Sequence, residues 1–127
     1  MIDHVSIAVR DLAAAARFYD AVLAPLDMTR LREWPTSVGY GKQYPELWLN
    51  LRAEMPPVAA DSGAHVCLRA RETKAVASFH AAALRAGGAS DGAPGPRPEY
   101  SEIYYAAFIR DPDGNRIEVV TFLAAGG

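Results

Sequence analysis

The sequence contains few of the residues that build metal clusters and disulfide frameworks. Its 127 residues include one cysteine and three histidines. A single cysteine, Cys67, excludes an internal disulfide and any zinc cluster built on cysteines. A metal site in this chain must therefore use His4, His65 or His80 together with carboxylates.

Two further absences restrict the partners. The net charge is −2, so the composition does not indicate a basic surface for nucleic acid or for an anionic membrane. No apolar run approaches the roughly 18 residues that span a bilayer, and no basic-then-apolar leader begins the chain. We therefore expect neither nucleic acid nor a membrane as a partner, and the single cysteine favours a reducing, cytoplasmic location.

The sequence repeats itself at an offset of 61 residues. Alternating runs over Met1–Val9 and His65–Ala70 each predict a strand, and each run is followed by apolar residues at helical spacing. The second helix is expected to bury Val76, Phe79, Ala83 and Leu84. The aligned pairs are His4 with His65, Val9 with Ala70, Phe18 with Phe79 and Leu23 with Leu84.

Strand-like segments follow each helix, so each half is predicted to be βαβββ within an α+β fold. A stretch rich in glycine and proline, Gly92–Pro96, predicts a loop, and Asp111–Gly114 predicts a tight turn before the last strand. Residues 1–53 form the first predicted module, 54–63 the linker and 64–123 the second module. The other predicted strands are Met28–Trp34, Val38–Lys42, Leu47–Arg52, Ile103–Arg110 and Arg116–Phe122.

Strand alternation separates a set of apolar side chains that face the helices from a second, more polar set. The second set comprises His4, Ser6, Ala8, Trp48, Asn50, Arg52, His65, Cys67, Arg69, Glu118 and Val120. Two imidazoles and a carboxylate on one face are typical ligands of Fe, Mn, Zn or Ni. The alternative is that both histidines are half-exposed at strand starts and that Glu118 pairs with Arg69. Cys67 is expected to be a small buried apolar group.

Four segments resemble the vicinal oxygen chelate superfamily, also called the glyoxalase/bleomycin resistance/dioxygenase group. They read IDHVSIAVRDL from Ile2, RFYD from Arg17, GAHVCL from Gly63 and DPDGNRIE from Asp111. The resemblance implies two tandem βαβββ modules that form a curved, open, barrel-like sheet with the helices outside. It also implies that His4, His65 and Glu118 hold a divalent metal ion.

Departures from the family pattern favour some activities over others. Glyoxalase I has a fourth ligand, usually Glu, where this chain has Asn50, and an arginine where it has Ala8. An amide cannot accept a proton near neutral pH, so glyoxalase I proper is disfavoured. The remaining His/His/Glu set resembles extradiol dioxygenases and fosfomycin-resistance thiol transferases, in which Ser6 would lie where a hydroxyl is expected.

The resemblance and the alternation together predict the pocket walls. Phe108 matches a family position that lines the substrate cavity, and Tyr104 shares its face. The other predicted pocket residues are Ser6, Trp48, Arg52, Arg69 and Val120. The arginines would neutralise an anionic group or would remain solvated. No acid or base is identified, because His80 is expected at the helix surface and nothing selects among Tyr100, Tyr104 and Tyr105.

The first hypothesis is a metal-dependent enzyme, dioxygenase-like or lyase/transferase-like, that chelates vicinal oxygens of a small and preferably aromatic molecule. The second is a metal-free, ligand-sequestering protein of the bleomycin-resistance type, and the third is an interaction subunit. Each module leaves a sheet edge open, so we expect a homodimer.

Overall fold

The computed structural model describes residues 1–124 and contains two four-stranded sheets and two α-helices. The first module consists of β1 (Val5–Val9), α1 (Leu12–Leu23), β2 (Thr29–Trp34), β3 (Ser37–Gly41) and β4 (Leu47–Leu51). The second consists of β5 (Val66–Arg69), α2 (Thr73–Arg85), β6 (Ala89–Pro96), β7 (Tyr104–Arg110) and β8 (Arg116–Phe122). The predicted α+β fold of two similar modules is confirmed.

Both sheets have the same topology. The strand orders are β1-β4-β3-β2 and β5-β8-β7-β6. In each sheet the first and last strands of the module pair in parallel, and the other neighbours are antiparallel. Within residues 1–124 the two sheets are not hydrogen-bonded to each other, so no closed barrel forms.

The apolar strand faces and the two helices form one core. α1 begins after Asp11, whose carboxylate accepts a hydrogen bond from Ala14 N at 3.1 Å, as expected of an N-cap. α1 packs against α2, and the buried side chains of both modules form one continuous cluster. Leu49 of β4 and Val119 of β8 are fully buried in it, as predicted for strand residues that face the helices, whereas Val5, Ile7, Val66 and Leu68 are partly buried against it. Ser6 on the opposite face is exposed.

The Asp111–Gly114 turn joins the two modules. Asp111 is only 4% exposed and accepts a hydrogen bond from the Tyr19 hydroxyl of α1 at 2.7 Å. Asn115 Nδ2 donates to the carbonyl oxygen of Ala8 in β1 at 2.9 Å. Because these contacts cross from module two to module one, the most distinctive motif of the sequence serves as an inter-module junction.

Two predictions of local structure are wrong. Gly92–Pro96 belongs to a strand, because β6 is an edge strand with two register shifts, where proline needs no ladder partner. Leu84 is 46% exposed, and Ala82 is buried in its place. Ala82 and Ala83 are consecutive small apolar residues, so the sequence pattern does not decide whether the buried face of α2 contains residues 82 and 83 or residues 83 and 84.

The strands also begin later than predicted at the two histidines. β1 starts at Val5 and β5 at Val66, so His4 and His65 each immediately precede a strand. No helix of residues 1–124 has the length and apolar character needed to cross a membrane.

Candidate metal and ligand site

A buried carboxylate forms the centre of the candidate site. Glu118 is 4% exposed, and its Oε1 lies 3.0 Å from His65 Nε2. Its Oε2 accepts a hydrogen bond from the Tyr104 hydroxyl at 2.5 Å. Both carboxylate oxygens thus have partners, which a buried charge requires.

The sheet explains this arrangement. β8 lies between β5 and β7, so Glu118 faces Cys67 on one neighbour and Phe108 on the other. His65 reaches it from the residue before β5, and Tyr104 from the first residue of β7. A position on a central strand removes the carboxylate from water and leaves it accessible to side chains from both neighbours.

The environment of Glu118 keeps its neighbours protonated. Burial, followed by the hydrogen bond to Glu118, holds the pKa of the Tyr104 hydroxyl well above its ordinary value. Tyr104 is protonated at neutral pH, as tyrosine ordinarily is, and the raised pKa extends this state to more alkaline solution. The Cys67 side chain retains solvent contact, which corrects the prediction that it is buried. Desolvation around its sulfur and the Glu118 charge still raise the pKa of Cys67 to about 12, so it is a thiol near neutral pH.

A cavity of about 570 Å³ adjoins this carboxylate. Its aromatic wall consists of Tyr100, Tyr104 and Phe108, and the first two rings meet edge-to-face with centroids 5.1 Å apart. Arg97 lies over the Phe108 ring at 5.4 Å, and a Cβ on Gly92 would lie 2.9 Å from that ring. The Phe108 ring is therefore closely packed by Arg97 and Gly92, and a wall of three aromatic rings suits a planar, apolar ligand.

The third predicted metal ligand does not join this site. His4 Nδ1 lies 2.7 Å from Asp3 Oδ2, and the side chain is half exposed and does not line the cavity. Across residues 1–124, no three His, Cys, Asp or Glu side chains are grouped so as to hold a metal ion. The structure thus brings together His65 and Glu118 but not His4.

The predicted pocket residues of module one lie elsewhere. Ser6 lines a separate cavity of about 220 Å³ that His65 also borders. Trp48 stacks on Trp34 with centroids 5.1 Å apart, and Arg52 donates to the carbonyl oxygen of Leu51. Asn50 is half-buried beside Ala8 in the β1–β4 register. None of the predicted module-one residues lines the 570 Å³ cavity.

The remaining predicted residues of module two flank the site. Arg69 lies over the Phe122 ring at 4.5 Å, so the alternative pairing of Arg69 with Glu118 is not observed. Val120 is buried next to Glu118 on the same face of β8. His80 is half-buried on α2 and hydrogen-bonded to Ser90 Oγ at 2.9 Å, away from the cavity. Burial lowers its pKa.

Sequence reasoning missed two charged residues of the cavity, Asp91 and Arg116. Arg116 precedes Glu118 by two residues, so strand alternation places both on one face. The sequence pattern did not identify Asp91 as a cavity residue, because its segment was predicted to lead into a loop and so had no strand face assigned to it.

Comparisons with known proteins agree with this fold. A sequence model described as Glyoxalase/Bleomycin resistance protein/Dioxygenase superfamily matches residues 1–119. A glyoxalase/bleomycin resistance protein from Albidiferax ferrireducens T118 is 28% identical, with a TM-score of 0.82 over 93% of this chain and 96% of that one. The fosfomycin resistance protein FosX from Mesorhizobium loti is 16% identical, with a TM-score of 0.68 over 95% and 91% of the two chains, which shows a shared fold. No curated protein matches the chain.

Proposed function

The chain belongs to the glyoxalase/bleomycin resistance protein/dioxygenase superfamily, and from this we propose that it is a divalent-metal-dependent enzyme acting on a small oxygenated molecule. The observation that carries the proposal is the buried Glu118 carboxylate, 3.0 Å from His65 Nε2 beside an aromatic cavity. Imidazole nitrogen and carboxylate oxygen are suitable donors for Fe, Mn, Zn or Ni.

The donor chemistry at Glu118 fits such an ion, with His4 as the third ligand. His65 and Glu118 are already adjacent, and no third ligand from residues 1–124 is grouped with them. His4 is half exposed and lies one residue before β1, so it is not packed in the hydrophobic core. In this proposal it is the third metal ligand, supplied by the same chain or by a second copy.

The residues around the site perform three tasks in this proposal. Tyr104 donates to Glu118 Oε2 and orients the carboxylate. Phe108 and Tyr100 exclude water from one side of the ligand and favour a planar body. A bound divalent ion supplies Lewis-acid stabilisation of negative charge on two neighbouring oxygens. Asn50 and Ala8 favour dioxygenase-like or lyase/transferase-like chemistry over that of glyoxalase I.

We also propose that the protein is a homodimer in which a second copy covers the faces opposite the helices. Aromatic side chains remain exposed there: Trp34 is 58%, Tyr100 60% and Phe122 40% exposed. Exposed aromatic groups of this size are typical of a protein interface.

Metal analysis tests the proposal. The wild-type protein and the variants Glu118→Gln, His65→Ala and His80→Ala are reconstituted with Fe, Mn, Zn or Ni, and bound metal is measured. We expect near-stoichiometric metal in the wild type and in the control His80→Ala, which alters a histidine outside the cavity. The affinity for the metal should fall at least tenfold in Glu118→Gln and His65→Ala, because loss of even a residue that only supports a metal ligand typically lowers metal affinity by roughly that factor. Equal metal in wild type and Glu118→Gln would contradict the proposal.

Subunit mixing identifies the source of His4. Protein with His4→Ala is mixed with protein carrying Glu118→Gln, and metal binding is measured after exchange. A site shared between copies regains one intact ligand set in each mixed dimer, whereas a site within one chain regains none.

Metal-free sequestration of a planar ligand is the second candidate, favoured by the position of His4 outside the cavity. Ligand-induced thermal shifts that are equal in wild type and His4→Ala would support it.

A further inference from the structure

Two arginines face each other beside the candidate site. Arg110 of β7 and Arg116 of β8 are direct cross-strand partners. The next pair on the same face is Phe108 with Glu118. Like charges directly opposite each other destabilise a sheet unless they are neutralised. This pair therefore needs a negatively charged group to offset its repulsion.

Asp91 neutralises the two arginines only in part. Asp91 Oδ1 lies 3.4 Å from Arg110 Nη2, and Asp91 Oδ2 lies 3.8 Å from Arg116 Nε. One carboxylate thus faces two guanidinium groups at long distances, and the cluster keeps one net positive charge. All three side chains are about one-third exposed and so reachable from solvent.

The hydrogen-bond capacity of the pair is also only partly used. Arg116 donates through Nη1 and Nη2 to the carbonyl oxygens of Ser62 and Ala60 in the linker. Arg110 Nε is buried and has no hydrogen-bond partner within the described residues. A buried N–H without an acceptor is costly, so the guanidinium of Arg110 is only partly compensated by its long contact with Asp91.

Arg116 lines the 570 Å³ cavity, and Arg110 lies next to it as its cross-strand partner without itself lining the cavity. Arg116 and Asp91 line this cavity together with Glu118 and His65. Arg116 and Glu118 are two residues apart on β8, so their backbone positions are roughly 7 Å apart on the same face of the sheet. Phe108 is opposite Glu118 and forms part of the same wall.

We propose that Arg110 and Arg116 form an anion-binding subsite, so that the ligand of this cavity is a planar molecule carrying a carboxylate, phosphonate or phosphate group. In the full ligand this group lies at the arginine end while the oxygens meet His65 and Glu118. That second part rests on the proposed function, whereas the anion subsite itself needs no metal.

Titration of the metal-free protein with phenylphosphonate and with phenol, followed by NMR, tests the subsite. We expect phenylphosphonate to bind at least about tenfold more tightly than phenol, and Arg110→Gln to weaken it about tenfold, since hydrogen bonds to charged groups are involved. Asp91→Asn removes the competing carboxylate and should tighten binding about threefold. Arg71→Gln removes an equal charge at a surface pair with Asp27 and should change nothing.

Arg110→Gln and Asp91→Asn should change the affinity for phenylphosphonate in opposite directions, and this difference tests the subsite. If Asp91→Asn weakens binding as Arg110→Gln does, or if phenol binds as tightly as phenylphosphonate, the subsite is refuted. Arg116→Gln is a secondary variant because Arg116 also holds the linker, and its thermal unfolding is measured in parallel. Phosphonate binding that persists in a protein unable to bind metal would overturn the proposed function and leave this subsite intact.

Discussion

Substituting Tyr19 with Phe tests whether the buried junction between the modules holds the fold together. The Tyr19 hydroxyl is fully buried and donates to Asp111 Oδ2 at 2.7 Å. Asp111 accepts three further hydrogen bonds, from Asn115 Nδ2, Asn115 N and Asp113 N, at 2.8 to 3.0 Å. The substitution therefore leaves the carboxylate partly satisfied and keeps the aromatic ring.

We expect the free energy of unfolding at pH 7 to fall by about 2 kcal/mol, the value of a hydrogen bond to a charged group. The melting temperature should fall by roughly 6 °C in a domain of this size. The midpoint of urea unfolding should fall by about 1 M. Chemical and thermal unfolding followed by circular dichroism measure both quantities.

The pH dependence has a definite sign. Burial raises the pKa of Asp111 above its ordinary value, and the hydrogen bond from Tyr19 opposes that rise. A raised folded-state pKa contributes stability that is present below the unfolded value of 3.8 and is lost as pH rises through the folded value. Without Tyr19 the folded pKa rises further, so the deficit of the variant should grow as pH increases through that window.

A double-mutant cycle with Asp111→Asn provides the control, because an amide does not titrate. In that background the effect of Tyr19→Phe should be independent of pH. A loss below about 0.5 kcal/mol at pH 7, the scale of an ordinary surface substitution, would refute the reasoning. A deficit that is equal at acid and neutral pH would refute it as well.

Three further substitutions test other parts of the fold. Gly114→Ala should lower the free energy of unfolding by about 1–3 kcal/mol, because φ is +93° and a Cβ would lie 3.0 Å from the carbonyl oxygen of Val58; unchanged urea unfolding would contradict this. Asp11→Ala removes the hydrogen bond to Ala14 N and should cost about 1 kcal/mol, with Asp11→Asn as the control that keeps the cap. Leu84→Lys should change stability by less than about 0.5 kcal/mol, since this leucine is 46% exposed, and a large loss would restore the predicted buried stripe.

Much of the fold followed from local pattern. Alternation and helical spacing located both helices and seven of the eight strands, because one face of each element must bury apolar side chains. The exception, β6, contains Gly92, Pro94, Gly95 and Pro96, which are poor strand residues. Pairing with β7 at the sheet edge overrides that local preference, and pattern reasoning does not see such pairing.

The candidate site followed from pattern only in part. Face alternation and the family resemblance selected Glu118, Tyr104 and Phe108, and the structure places all three at one cavity. They also selected His4, Ser6 and Trp48, which lie outside it, because sharing a strand face does not specify how one sheet is placed against the other.

Residue periodicity was sufficient to determine two similar modules at an offset of 61 residues, with both helices and every strand except β6, and to identify the side chains that face away from the helices. Tertiary structure alone decided that Asp111 is buried against Tyr19, that His65 meets Glu118 while His4 does not, and that Arg110 faces Arg116. The physical reason is that periodicity records only whether a side chain faces the core. The pairing of strands and the packing of one module on the other determine which polar groups come within hydrogen-bonding distance.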